Sequence, residues 1–261
     1  MVVIMKLKKI LLNLFLLILS ALIIIGGIIV FQGYQMYQAA LGQASVEDMA
    51  DNVRSQPGFT PLEELPELYL EAVVAVEDQR FYEHGGVDWK RSIGAALNYI
   101  VPFRDNFGGG STITQQLIKN ITGDDETSVK RKITEIMRAL ELEDKYEKDD
   151  ILEFYLNTIY LGQNAYGVKA AAQTYFGKEP SQLTLVECAA IAGITKNPYK
   201  YDPVRFPEFN KERRDLVLEQ MGKVLLRTFR STDIVGRFGG DEFLVLVKGA
   251  ASQGLMNRKC Q

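Results

Sequence analysis

From Ile10 to Phe31 nearly every position is Leu, Ile, Val, Phe, Ala or Gly, and none is charged. An unbroken apolar run of this length predicts a helix able to cross the roughly 30 Å hydrocarbon core of a bilayer. A cleaved signal peptide is the rival reading, but its apolar core is only about 7–15 residues long. Ala39–Ala44 offers only a weak cleavage site. A retained anchor over 10–31 is therefore expected, preceded by a short cytoplasmic N-terminus over 1–9. Lys6, Lys8 and Lys9 lie just before the span, and no Lys or Arg follows until Arg54. By the positive-inside rule the N-terminus faces the cytoplasm and the rest lies outside a single-pass cell membrane anchor.

Residues 32–59 read as a polar connector. Thr60-Pro61 and Leu65-Pro66 then read as helix-opening turns, because proline is tolerated in a first helical turn. From there to Met221 the pattern is helical. Val129–Glu143 carries Ile133, Ile136, Met137 and Leu140 at three-to-four-residue spacing, and Ile151–Leu161 behaves alike. Thr184 and Glu187 form a capping box opening the apolar helix Leu185–Ile194, and a charged helix is expected over Asn210–Met221. The expected class is mainly α, with one core over 60–221. The tail differs: Asp233–Phe238, Gly239-Gly240 and Glu242–Val247 read as strand, tight turn, strand, a β-hairpin. A second unit over 222–261 is too short for an independent core.

Composition narrows the function. A formal charge of −3 supplies no basic excess for a general nucleic-acid binder. Cys188 and Cys260 are too few and too far apart for a disulfide framework or a metal-site spacing, and Cys188 reads as a small buried hydrophobe. His84 is the only histidine, which excludes a multi-histidine zinc site.

Three helical-region segments concentrate polar groups that a packed core does not favour: Glu77–Gly86, Gly108–Asn120 and Arg131–Glu135. Singly each has a bland explanation: solvated charges, a flexible glycine linker, and an i, i+4 surface ion pair worth about 0.3–0.5 kcal/mol. Together they resemble glycosyltransferase family 51, the transglycosylase domain of class A penicillin-binding proteins and monofunctional peptidoglycan glycosyltransferases. The pattern Glu-Asp-x-x-Phe-x-x-His-x-Gly is matched by 77–86, Gly-Gly-Ser-Thr-x-Thr-Gln-Gln by 109–116, and Arg-Lys-x-x-Glu by 131–135. Tyr155–Gly162, Ala165–Lys178 and Lys196–Pro203 follow in the family's order, so the likeness covers Leu62 to Met221.

That resemblance implies a lysozyme-like, two-lobed helical domain that polymerises lipid II onto a glycan carried by undecaprenyl diphosphate, with inversion at the anomeric carbon. It implies Glu77 as general base and Glu135 as the second essential glutamate, orienting cations or a divalent metal. Lys119, Arg131 and Lys132 are the candidates for easing departure of the diphosphate, where negative charge grows. Ser111, Thr112, Gln115 and Gln116 are implied to hydrogen-bond sugar and phosphate oxygens, with Asp78, His84 and Asn157 as further substrate-binding candidates. Mg2+ or Mn2+ is the implied cofactor, with Glu77 a candidate ligand, although the sequence holds no dedicated metal cage. The expected partners are lipid II, the membrane and the cell-wall synthesis machinery. Tyr99–Phe103 reads equally well as the family's membrane-dipping patch or as ordinary core.

Two departures stand out. No Ser-x-x-Lys occurs, so the transpeptidase and penicillin binding of the larger relatives are not expected. The tail instead resembles the GGDEF domain of diguanylate cyclases: Gly239, Gly240, Asp241, Glu242 and Phe243 match its signature, and Arg230 and Asp233 its inhibitory site. The likeness is short, about Gly222 to Gly249, and lacks that family's first strand, its metal-binding acid and its guanine contacts. A fused or mis-joined fragment is the expected reading. Two alternatives stay open on the residues alone: a lysozyme-like peptidoglycan hydrolase using two carboxylates, and an inactive chimera.

Overall fold

The computed structural model describes residues 2–42, 44–100, 110–123, 126, 128–228, 234–237 and 243–246. The described residues are mainly helical, as expected. The first helix, α1 (Val2–Leu41), contains a stretch, Lys8–Leu41, long and apolar enough to cross a membrane, its most apolar 18 residues having mean hydropathy 3.1. Its Leu, Ile and Phe side chains from Ile10 to Phe31 are exposed, Ile29 excepted, as suits a helix solvated by lipid rather than water. At 40 residues it is about 60 Å long, twice the hydrocarbon thickness.

The connector expected over 32–59 is therefore corrected. Helix α1 runs on through Gln32 to Leu41, since no proline interrupts it and its exposed polar residues cost nothing in water. Helix α2 (Val46–Arg54) follows at once, opened by a capping box between Ser45 and Asp48. Val46, Met49, Ala50 and Val53 are buried at i, i+3, i+4 and i+7, so this segment belongs to the core.

Around that core stand α3 (Glu67–Glu77), α5 (Ile113–Thr122), α7 (Lys148–Thr158), α8 (Gly167–Phe176) and α10 (Pro207–Thr228), with α9 (Leu185–Ile194) at the centre. Helix α9 is apolar apart from Glu187 in its first turn and is buried from Cys188 to Ile194. It opens on the expected Thr184–Glu187 box, Thr184 N–H donating to Glu187 Oε2 at 2.8 Å. Pro66 caps α3 and Pro207 begins α10, which extends beyond the expected Asn210–Met221. The largest buried side chains include Tyr69, Phe81, Phe154, Tyr155 and Ile191. Fully burying a large apolar side chain such as Phe or Ile contributes about 1.5–3 kcal/mol. Cys188 lies among them, its thiol pushed up to about 12 by burial, so its reading as a hydrophobe holds.

Helix α6 (Val129–Lys145) departs from its sequence pattern. Its buried positions are Glu135, Arg138, Ala139 and Leu142, whereas Leu140 is exposed. The apolar stripe through Ile133 serves another purpose, for Ile133 packs against α1. A Cβ on Gly33 would lie 2.5 Å from Ile133 Cγ2. Thr134 Oγ1 donates to Gly33 C=O at 3.2 Å, and Tyr37 OH donates to Glu141 Oε2 at 2.8 Å. Gly33, Tyr37 and Ala40 thus form one stripe of α1 seated on α6.

Beyond α10, β1 (Ile234–Arg237) pairs antiparallel with β2 (Phe243–Leu246), Ile234 opposite Leu246 and Arg237 opposite Phe243. This is the ribbon expected from the tail. Its turn, including Gly239, Gly240, Asp241 and Glu242, lies outside the described residues, as do Arg230, Asp233 and Cys260. So do Gly108, Gly109 and Val101–Phe103, and of α4 (Trp89–Ile100) only the backbone is described past Gly94.

Candidate active site

Glu77 is the last residue of α3, half-buried where the chain leaves the core. Its two carboxylate oxygens are held by different elements. Gln116 Nε2, on α5, donates to Oε2 at 2.9 Å, and Thr195 Oγ1, just past α9, donates to Oε1 at 2.6 Å. Gln116 is itself fixed by Tyr155 OH, which donates to its Oε1 at 3.2 Å. Burial, then the negative charge of Glu77, pushes the Tyr155 phenol well above its ordinary value, so it stays a donor. Arg91 Nη1 donates to the Glu77 carbonyl at 2.9 Å, satisfying a helix-end acceptor.

Asp78 follows as the C-cap of α3 and is buried. Its carboxylate accepts from Ile113 N–H at 3.1 Å, meets His84 Nε2 at 3.0 Å and lies 3.5 Å from Arg91 Nη1. It therefore pins the end of α3 to the start of α5. Among the described residues His84 Nδ1 has no hydrogen-bond partner. Four of the residues expected to contact substrate are buried and hydrogen-bonded within the protein. Asp78 is fully engaged inside the protein. Thr112 and Gln115 form a buried capping box for α5, Thr112 N–H donating to Gln115 Oε1 at 3.0 Å. Asn157 is buried too, accepting from Thr60 N–H at 2.8 Å and donating to Thr60 C=O at 2.9 Å. Residues that build the cleft share the sequence motifs with residues that face it.

The facing residues lie across α5. Glu135 is buried on α6, where Arg131 Nη1 donates to Oε2 at 2.8 Å and Lys132 Nζ to Oε1. Lys132 Nζ also donates to Ser111 Oγ at 2.9 Å, one residue before the cap of α5. Ser111 and Gln116 thus place the Glu135 cluster and Glu77 on the same short segment. Beside them a cavity of about 190 Å3 is lined by Ala40, Ile118, Lys119, Thr122, Arg131, Thr134, Glu135 and Arg138. Three cations face one carboxylate there, and Lys119 makes no ion pair among the described residues. The surplus positive charge suits a phosphate-bearing group. Arg138, Arg91, Thr195 and Ala40 were not singled out by the sequence. The i, i+7 spacing of Arg138 from Arg131 was the one available signal.

A resident divalent metal does not fit this donor set. Both Glu135 oxygens are taken by cations and both Glu77 oxygens by Gln116 and Thr195. Among the described residues no three His, Cys, Asp or Glu side chains gather at a site.

A family described as Transglycosylase matches residues 44–222, and one described as Diguanylate cyclase, GGDEF domain, matches residues 211–260. Penicillin-binding protein 1A/1B of Bacillus subtilis is 40% identical over 190 residues, 72% of this chain and 20% of its own length. Penicillin-binding protein 1A of Clostridium perfringens is 46% identical over 182 residues, 68% of this chain and 26% of its own. The chain thus spans about a quarter or less of these relatives. A Cupriavidus necator protein named among the transglycosylases is 40% identical over 184 residues, 70% of this chain and 78% of its own length.

Proposed function

This chain belongs to the transglycosylase family, and on that premise we propose that it is a peptidoglycan glycosyltransferase polymerising lipid II. The observation that carries the reading is one short helix, α5, linking Glu77 on one side to a cationic cavity around Glu135 on the other. Glu77 takes the proton from the acceptor sugar hydroxyl. The freed oxygen attacks the anomeric carbon of the donor glycan from the face opposite its diphosphate. The new C–O bond forms as the old one breaks, and its electron pair leaves on the diphosphate oxygen, giving inversion. Arg131, Lys132 and Lys119 offset the charge growing there. Glu135 holds the first two in place.

The same pairing argues against hydrolysis by two carboxylates. A Glu135 neutralised by Arg131 and Lys132 is a poor general acid or nucleophile. Helix α1 anchors the chain, and the lysines before it set the cleft on the outer face, where lipid-linked sugar is polymerised. The segment matched as GGDEF contributes no nucleotide chemistry to this reaction.

Purified full-length chain in detergent with lipid II, analysed for polymer on a gel, tests the proposal. Glu77→Gln keeps the side chain's shape and one acceptor, its amide nitrogen donating to Thr195 Oγ1 in place of accepting, and is expected to lose at least about 100-fold in rate. Equal polymer from both proteins would refute the assigned base.

A further inference from the structure

Three exposed tyrosines, Tyr160, Tyr166 and Tyr199, stand on two interlocked loops. In the first, Tyr160 bridges Tyr166 across a tight turn, and Leu161 N–H donates to Ala165 C=O at 2.9 Å. Gly162, Gln163 and Asn164 at the turn have φ of 82°, 47° and 59°. Two consecutive non-glycine residues are thus held in the left-handed region, a conformation that persists only where the surroundings enforce it. The second loop does the enforcing. Pro198 C=O lies so close to Gly162 that an added Cβ would sit 3.2 Å from it. Gln163 Nε2 donates to Asp202 Oδ2 at 2.6 Å, and the buried Asp202 accepts from Val204 and Arg205 N–H at 2.9 and 3.0 Å.

From this rigid mount three rings project into solvent: Tyr160 is 41% exposed, Tyr166 60% and Tyr199 67%. The first two have centroids 5.0 Å apart and planes inclined by 45°, and Tyr199 is propped edge-on by Phe206 at 5.5 Å. Single exposed aromatics need no explanation, but a cluster on a strained support marks an interaction site. Both loops also start from the groups that hold Glu77. Tyr155, bonded to Gln116, precedes Tyr160 by one helical turn and a bend. Thr195, bonded to Glu77, precedes Tyr199 by four residues, so their Cα atoms lie within about 14 Å.

We propose that Tyr160, Tyr166 and Tyr199 form a stacking platform for pyranose rings of the glycan strand beside the Glu77 end of the cleft. The identity of the ligand rests on the transfer reaction proposed above. A pyranose presents an apolar C–H face with hydroxyls at its rim. A tyrosine ring matches it with an apolar face and a hydroxyl at its edge. Such contacts tolerate lateral displacement, which a strand that advances after each addition requires and a fixed ion pair would resist.

The test separates binding from turnover. Full-length chain carrying Glu77→Gln is titrated calorimetrically with lipid-free glycan fragments of several disaccharides. The same chain is then titrated with Tyr160→Ala, Tyr166→Ala and Tyr199→Ala added. Saturable binding weakened about tenfold by the triple substitution is expected. With Glu77 intact, the triple variant is expected to give shorter polymer. Undiminished affinity in a triple variant of native circular dichroism overturns the platform, as does a parent that binds no glycan. Should the triple variant misfold, Tyr166→Ala and Tyr199→Ala singly, at the two most exposed rings, decide by the same criterion. Tyrosine-dependent binding in a chain that polymerises nothing supports the platform and refutes the transfer reaction.

Discussion

Thr195 gives Glu77 a partner that changes with its protonation. The hydroxyl lies 2.6 Å from Glu77 Oε1 and 2.8 Å from Ala192 C=O, and its single proton serves one acceptor at a time. Toward an ionised Glu77 it donates. Once Glu77 holds a proton, Thr195 can turn to Ala192 and accept from the acid. Hydrogen bonds to charged groups contribute about 1.5–3 kcal/mol, so Thr195→Val is expected to lower kcat about tenfold in the lipid II assay. A variant with wild-type kcat would remove Thr195 from the mechanism. A second prediction concerns pH. Burial raises the Glu187 carboxyl, but Lys178 and the Thr184 N–H outweigh it and hold the group below its ordinary 4.5. The stabilisation is therefore present above that ordinary value and lost as pH falls through the lower folded one. Glu187→Gln should cost about 1 kcal/mol at neutral pH, and the gap in melting temperature should narrow in acid. A gap constant down to pH 3 would exclude the charge as its source.

Among the elements, the central helices were the most legible. A capping box before an apolar run announces α9, and prolines at 61 and 66 mark two helical starts. The motifs also brought Glu77, Ser111, Gln116, Lys119, Arg131, Lys132 and Glu135 to one place. They do not distinguish a side chain facing the cleft from one building it, as Asp78, Thr112, Gln115 and Asn157 demonstrate, because capping and ligand binding draw on the same residue types. The seat of α1 on α6 was illegible for a different reason. Gly33 and Ile133 are far apart in sequence, and a lone glycine says nothing about the backbone or side chain that will approach it. That contact gives a sharp test. Gly33→Leu should displace α6 and, since misplacing a catalytic group by about 1 Å can cost 100-fold, lower polymer formation at least tenfold. The protein should stay in the membrane fraction. Adding Ile133→Ala should recover part of the loss, and no recovery would show that the two helices do not meet there.

At the scale of the whole molecule, α10 is where two family likenesses overlap, since residues 211–222 fall in both. The helix buries Val217, Leu218 and Met221 against the core, and no described core residue lies beyond Met221. A chain ending at Thr228 should therefore melt within about 2 °C of the full protein, since it loses none of these contacts. One ending at Phe206 should not fold. Equal stability of the two would mean that α10 is an ornament.

The unbroken course of α1 has a mechanical consequence. Ala40, in the wall of the cationic cavity, lies seven residues past Gly33, about 10 Å along a stiff rod. Height above the lipid and azimuth about the rod are then geared together. One residue inserted ahead of Gly33 would lift the cavity by about 1.5 Å and swing it through about 100°. On the proposed transfer reaction this stem would act as a gauge, setting how far above the leaflet a diphosphate headgroup must rise to be reached.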